Sequence, residues 1–443
     1  MHLNKAVIPH YRSEMIPINV LKKRVSLNEK YLREKCFPQV QELLENYGEL
    51  NIIWFDFPHD ITKEQSAELR AWVKSFQPNC QINSRIAHGL CDYYSLGDNV
   101  LPTVPRGVNT ECLTTLNNTW GYRSDDDNWK TPAENIDILC RCLCADSTLL
   151  MNVGPFADGT LTPETEHILE EMGKWTSRNS EAVYGSLKGN PLPTTFAWGR
   201  LAVKDNRVFF YLTNEKFAQE GGEITVAGID GTPVRARLLG ADTCIDFTYK
   251  NGAITLSIPP SKLTVPVYEL EFESVPTYSN AIIQNGDTIT LGVNFGGKVK
   301  RGQESGEIEK LRYEFDEFRY DYGKNGLAVN GNDHTHAFTR ADEILAWDAM
   351  ITEPGTYEAE LVQLPPVKDF RLTLTVGDES ADVSQEVKQS YSISKTLAGN
   401  ERVVRSFGVF DIKEAGICRI TLSRESDGDD APITEVILKK CKV

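Results

Sequence analysis

The chain has 443 residues, 40% hydrophobic and 25% charged, the composition of a soluble globular protein long enough for two or three domains. Its net charge of −16 argues against nucleic acid or an anionic membrane surface as a main partner. No apolar run reaches the roughly 20 residues of a membrane span. The N-terminal M-H-L-N-K-A-V-I-P-H has no charged-then-apolar leader and no small-residue cleavage site. The chain therefore reads as cytoplasmic, or else starts upstream of Met1, where a signal peptide would direct it to the periplasm, the extracellular space or the lysosome.

In chain order, Glu29–Tyr47 has helical spacing, with Tyr31, Leu32, Val40, Leu43 and Leu44 as its apolar positions. Leu50–Asp60 reads L-N-I-I-W-F-D-F-P-H-D, an apolar run that ends abruptly in Asp56. A buried strand over Asn51–Asp56 with a carboxylate at its C-terminal end is how a parallel α/β barrel offers catalytic groups. Thr62–Gln77 is amphipathic, with Leu69, Trp72, Val73 and Phe76 on one face, and Cys80–Arg85 reads as a short strand. Thr131–Ala145 is predicted to be a helix capped by Thr131 with Pro132 at its first position. Leu149–Val153 is an apolar strand, and Pro163–Ser180 a helix carrying Ile168, Leu169, Met172 and Trp175. Such alternation over residues 1–190 implies a parallel sheet whose strand-end loops carry chemistry.

Near Leu192 the pattern changes to short strands punctuated by Gly, Asn and Asp, including R-V-F-F-Y-L-T and V-Y-E-L-E-F. Residues 191–275 are expected to form an antiparallel β-sandwich, and residues 276–443 a second one, with loops across Gly302–Asn332. No internal repeat links the two. The expected class is α/β plus all-β, a partial (β/α)8 TIM-type barrel followed by two antiparallel β-sandwiches.

The ten cysteines do not form a disulfide framework at this length. Cys140, Cys142 and Cys144 alternate in a helical segment, which turns Cys142 away from the face shared by the other two. Zinc sites favour C-x2-C pairs with a second ligand pair, so core packing is the better reading and no metal is expected. The sequon at Asn117 lies in a stretch read as an active-site loop, so glycosylation there carries little weight.

Three segments together resemble glycoside hydrolase family 29, the α-L-fucosidases: N-I-I-W-F-D, then T-E-C-L-T-T-L-N-N-T-W-G-Y-R (Thr110–Arg123), then L-L-M-N-V-G-P-F-A-D-G-T-L-T-P-E (Leu149–Glu164). The likeness runs over about residues 35–275. It implies retaining hydrolysis of terminal α-linked L-fucose from glycans, with no metal or organic cofactor. Such enzymes use two carboxyl groups roughly 5–5.5 Å apart, one a nucleophile and one an acid and then a base. By the resemblance Asp56 matches the nucleophile. The acid/base is either Asp98, in C-D-Y-Y-S-L-G-D-N-V-L-P, or Glu111, which matches the family's W-E-x-C glutamate although Thr110 replaces the tryptophan. Trp54 resembles the aromatic that borders the fucose site. Arg85 resembles the family arginine that hydrogen-bonds sugar hydroxyls and balances the nucleophile's charge. Trp120 and Tyr122 either frame the pocket or pack in the core, while Asn152, Gly154 and Pro155 read as architectural.

The chain departs from the family at its start. A full barrel of this kind begins well ahead of its nucleophile and carries a K-H-H-D-G-F segment that binds sugar hydroxyls. None of the seven histidines here (His2, His10, His59, His88, His167, His334, His336) lies in that context. About three barrel strands are thus expected to be missing. The alternative readings are a glycan-binding protein without catalysis, or a fragment or subunit whose barrel another polypeptide or a second copy completes. In the C-terminal region, Ala346-Trp347-Asp348 and E-P-G-T-Y-E-A-E-L resemble β-sandwich modules appended to glycosidases, some of which bind carbohydrate. Trp347 and Tyr357 are expected in that module's core rather than on a ligand platform.

Overall fold

The structure is a computed structural model that describes residues 29–56, 61–102, 104–241, 243–250, 252–311, 313–314, 327–330, 335–336, 338, 340–364, 370–385, 403–428 and 432–441. Phe57–Asp60, with His59, lie outside the described residues, as does most of the 315–334 stretch. The chain divides into two compact units, the first ending at Tyr93 and the second beginning at Tyr94.

The first unit opens on a helix whose early turn, Leu32–Cys36, is a π-helix that runs into α1 (Phe37–Asn46). The wide turn stretches the step between inward-facing residues to five, from Leu32 to Phe37. Leu32, Phe37, Val40 and Leu44 are therefore buried, while Tyr31 and Leu43, expected on the apolar face, are exposed. Helix α2 (Lys63–Phe76) is fixed at its start by a capping box between Thr62 and Gln65. Leu69 and Val73 on this helix pack with Ile53, Ile82 and Ile86 into the unit's core.

The two strands of this unit are shorter than the sequence predicts. β1 is Ile52–Ile53 and β2 is Gln81–Ile82, and they pair in parallel. Each has a single ladder neighbour among the described residues. The expected buried run is corrected accordingly, since only Ile53 is buried, whereas Ile52 is half exposed and Trp54 and Phe55 are half-buried.

The second unit begins with three parallel strands in the order β3 (Tyr94–Asp98), β4 (Thr110–Thr115) and β5 (Ser147–Asn152). Neither β3 nor β4 is among the strands predicted from the sequence. Their sequences, Y-S-L-G-D and T-E-C-L-T-T, hold few apolar residues; β4 is buried throughout because neighbours cover it, not because of its own hydrophobicity. β5 starts two residues earlier than predicted. Its Leu150 is 45% exposed, because β5 has only β4 beside it among the described residues. Helix α3 (Pro132–Cys144) carries the predicted Thr131 cap, here a capping box with Glu134, and α4 spans Pro163–Arg178.

The cysteine alternation divides two cores. Cys140 and Cys144 pack with α4, whereas Cys142 packs with Cys112 of β4. None of the ten cysteines is in a disulfide. The buried thiols of Cys140 and Cys144 are pushed above their ordinary pKa by burial.

The first β-sandwich faces a five-stranded sheet (in order Thr243–Cys244, Pro233–Leu238, Val267–Phe272, Arg207–Tyr211, Arg200–Lys204) against a three-stranded one (Phe247–Lys250, Ala253–Ile258, Gly222–Ala227). R-V-F-F-Y does not alternate polar with apolar because both faces of its sheet are dry. Val208 and Phe210 point into the sandwich core, while Phe209 and Tyr211 pack with α3 and α4. Trp175 of α4 donates through Nε1 to the Val265 carbonyl at 2.9 Å.

The second sandwich pairs a seven-stranded sheet with a four-stranded one. Trp347 and Tyr357 are fully buried in its core, and Trp347 Nε1 donates to the Gly292 carbonyl at 2.9 Å. Within the expected 302–332 loop, short strands occur at Glu309–Lys310, Tyr313–Glu314 and Ala328–Asn330.

Asp92 fastens the first unit's sheet to α2. Its carboxylate accepts Arg70 Nη2 at 2.6 Å, Lys74 Nζ at 2.9 Å and the Ile82 N–H at 2.9 Å. Burial alone would raise this carboxyl, but the three donors outweigh it and hold it below its ordinary value. The stabilisation is complete above the unfolded value of about 3.9 and is lost as pH falls through the lower folded value. Asp92→Asn should cost about 2 kcal/mol at pH 7 and flatten the acid limb of stability, measured by urea unfolding at pH 7 and pH 3.

Candidate functional site

In the first unit the site grows from one side chain. Asn83 is fully buried and grips the backbone of Phe55, donating Nδ2 to its carbonyl at 2.9 Å and accepting its N–H on Oδ1 at 2.9 Å. The β1–β2 ladder has ended at Ile53 and Ile82, so this amide takes the place of a ladder rung. The next residue is Asp56, whose side chain is 45% exposed. Arg85 Nη1 donates to Asp56 Oδ1 at 2.8 Å. The Arg85 side chain is only 10% exposed, and its guanidinium lies over the Trp54 ring at 4.9 Å from the centroid. Arg85 thus contacts both Trp54 and Asp56, the two other residues that the sequence analysis placed at the nucleophile's site.

Arg85 sits on a 3-10 turn (Ser84–Ile86), not on the predicted strand. The turn is followed by three residues in the left-handed region, Ala87 (φ 72°), His88 (φ 57°) and Gly89 (φ 68°). Only the glycine adopts that conformation without cost; a non-glycine residue there carries roughly 1–2 kcal/mol of strain. His88 Nε2 donates to the Ile61 carbonyl at 2.8 Å and ties this turn to the start of α2's cap. Asn83 was not singled out from sequence. Its one signal is an amide in I-N-S-R, between the apolar Ile82 and the turn.

The remaining candidates lie in the second unit. Asp98 is the last residue of β3 and is exposed, at the C-terminal end where parallel α/β folds place chemistry. The following Asn99 (φ 59°) accepts the Thr115 N–H at 3.0 Å, which locks the ends of β3 and β4 together. Glu111 lies near the start of β4, buried, and accepts Ser95 Oγ at 3.3 Å. The register sets Asp98 beside Leu113 and Glu111 beside Ser95, so the two carboxyl groups belong to different levels of the same sheet.

Trp120 and Tyr122 follow β4 and are 42% and 46% exposed, so neither is a core residue. Asn152, at the end of β5, donates to the Trp120 carbonyl at 2.7 Å, and the Tyr122 ring packs on Phe156 at 4.8 Å. A Cβ on Gly154 would come within 2.9 Å of the Tyr122 nitrogen, which explains the glycine in N-V-G-P. Asp98, Trp120, Tyr122 and Asn152 therefore share the C-terminal rim of this sheet, and Glu111 does not. Among the described residues no group of His, Cys, Asp and Glu is arranged to hold a metal ion, and no helix is long and apolar enough to cross a membrane.

The family model described as Alpha-L-fucosidase matches residues 7–181. An α-L-fucosidase of Branchiostoma floridae is 29% identical over 174 residues, covering 36% of this chain and 38% of that protein. The tissue α-L-fucosidase of Rattus norvegicus is 28% identical over 185 residues, covering 38% of this chain and 39% of that protein. The chain thus spans under two fifths of the length of these curated relatives. Among solved structures, an α-L-fucosidase from Vibrio sp. strain EJY3 superposes with a TM-score of 0.71 at 20% identity, over 93% of this chain and 70% of that one. The family 29 α-L-fucosidase of Bacteroides thetaiotaomicron gives a TM-score of 0.51 at 24% identity, over 60% of this chain and 64% of that one. These two likenesses establish the fold, a barrel-type α/β region followed by β-sandwich structure. The match over residues 7–181 relates that part of the chain to the α-L-fucosidases.

Proposed function

We propose that the chain is a retaining α-L-fucosidase that removes terminal α-linked fucose from glycans, with Asp56 as its nucleophile. The observation that carries this reading is the setting of Asp56: an exposed carboxylate at a strand end, its backbone clamped by Asn83 and one oxygen held by Arg85. A nucleophile must be held still and yet reach the substrate, and this arrangement meets both demands.

In the first step the Asp56 carboxylate attacks the anomeric carbon, while the acid protonates the departing glycosidic oxygen. In the second the same residue, now a base, takes a proton from water, which attacks the anomeric carbon and releases Asp56. Asp98 is the better candidate for the acid/base, because it stands exposed at the C-terminal end of its strand whereas Glu111 is buried near the start of the next. Trp54 would border the sugar, with Arg85 fixing both the ring and the carboxylate. Trp120 and Tyr122 would supply apolar surface to the substrate from the rim.

Asp56→Asn should lower release of 4-nitrophenol from 4-nitrophenyl α-L-fucoside about 10³-fold or more. Asp98→Asn should slow substrates with poor leaving groups far more than activated ones, and azide should restore its turnover. The same pattern in Glu111→Gln would move the acid/base role there. A folded wild-type chain with no turnover on either class of substrate would overturn the enzymatic reading.

Asn83→Ala tests the clamp. It should lower kcat roughly 10- to 100-fold with little change in KM, because it loosens the segment that carries the nucleophile. It should also cost about 2 kcal/mol in urea unfolding, since the buried amide groups of Phe55 lose their partners.

A further inference from the structure

Asp137 and Arg141 lie one turn apart on α3, and Arg200 opens the edge strand of the first sandwich. Asp137 Oδ2 accepts Arg141 Nε at 2.8 Å, and Asp137 Oδ1 accepts Arg200 Nε at 3.4 Å. Two guanidinium groups thus share one carboxylate. Each guanidinium has five N–H donors, and among the described residues each of these two donates only through Nε. The Nη1 and Nη2 atoms of both therefore have no acceptor among the described residues. The Arg141 and Arg200 side chains are 29% and 18% exposed, so bulk solvent covers them only in part. Burial, together with the neighbouring Arg141, pulls the Arg200 guanidinium below its ordinary pKa, as expected where positive charge is under-compensated.

Both arginines line two adjoining cavities of about 300 and 390 Å³, the size range of small-molecule sites. The first is walled by Asn190, Thr213, Asn214 and the Phe196 ring, which stacks on Trp198 at 4.8 Å. The two amides are already fixed by backbone hydrogen bonds, Asn190 to Leu192 and Thr194, Asn214 to Ala197 and Phe217, so this wall is preformed. Asp137 is the one acidic side chain lining the first cavity. Glu435 stands on the wall of the second, where Thr195 Oγ1 donates to it at 3.4 Å, and it disfavours an anion there. A further cavity, also lined by Asp137 and Arg141, carries Lys130, Glu134, Glu215 and Lys262, whose charges offset each other.

We infer that the first cavity is a binding site for a small hydroxyl-rich molecule carrying a carboxylate or sulfate group, such as an acidic sugar. Its oxyanion takes hydrogen bonds from the free ends of the Arg141 and Arg200 guanidinium groups. Guanidinium forks match planar carboxylates and tetrahedral oxyanions alike, and a second anion brings the local charge to balance. Thr213 and the preformed polar wall face the hydroxyls, and Phe196 faces the apolar side of the ring. The site uses none of the residues assigned to fucoside hydrolysis. Arg141 stands near the end of α3 that leads back to the start of β5, the end of the sheet opposite to the rim that holds Asp98.

Calorimetric titration of the full chain with glucuronate, glucose 6-sulfate and neutral glucose tests the site. At least one acidic sugar should bind one-to-one and more weakly at high salt, and glucose should not bind. Arg141→Gln, checked for folding by circular dichroism, should weaken binding at least tenfold. Binding of glucuronate alone would assign the carboxylate, and of the sulfate ester alone the sulfate. No binding of either by the wild type, or equal binding by the folded variant, would overturn the inference. A selenate soak of wild-type crystals gives an answer that needs no variant. An anomalous peak within hydrogen-bond distance of both guanidinium groups supports the site, and anomalous peaks found only elsewhere overturn it.

Discussion

The second unit depends on a single sheet with two dry faces. The strand R-V-F-F-Y contributes Val208 and Phe210 to the sandwich core and Phe209 and Tyr211 to the packing against α3 and α4. A sheet of this kind cannot be solvated on either side, so the helices and the opposing sheet are both obligatory covers. Ile136, Cys140, Ile168, Met172 and Trp175 of the two helices share one cluster with Phe209, Tyr211 and Val267 of that sheet. The helices are therefore held by a sandwich that follows them in sequence as well as by the parallel strands they flank. The Asp137–Arg141–Arg200 ion pairs lie along the same seam and add polar fastening at its edge.

The candidate site follows a related logic on a smaller scale. Regular pairing stops at Ile53 and Ile82, before the residues that matter. What holds Asp56 in place is one buried amide, one guanidinium and a strained turn. Strain of this sort persists only where surrounding contacts over-determine it, as His88 and its hydrogen bond to Ile61 do here.

Parts of this were legible in the sequence, for reasons that can be named. The Thr131 cap and Pro132, the opposed faces of Cys140/Cys144 and Cys142, and the interior placement of Trp347 and Tyr357 all follow from local periodicity or local chemistry. Asp56, Trp54 and Arg85 could be picked out, and Arg85 paired with Asp56, because family segments surround them, although the stacking of Arg85 on Trp54 could not be read. What escaped were features that depend on distant neighbours. β3 and β4 are missing from the predicted strands because Ser95, Glu111, Thr114 and Thr115 are polar, and only the assembled sheet buries them. The π turn at Leu32–Cys36 shifts the inward face of the first helix and leaves no mark on a 3.6-residue pattern. Asn83 is a single amide whose partner lies 28 residues away.

The two-faced sheet also has a consequence for biosynthesis. Trp175 reaches its acceptor at Val265, 90 residues later, and Val267 belongs to the same cluster as α3 and α4. On a ribosome, α3 and α4 emerge with their apolar stripes formed but uncovered, and their cover stays incomplete until the strand Val267–Phe272 has cleared the exit tunnel. At roughly 5–20 residues per second this interval lasts several seconds, long compared with helix formation. During it the nascent chain exposes the surface by which partly folded proteins associate wrongly, so codon pace and chaperone capture between residues 178 and 272 bear directly on the yield of native protein.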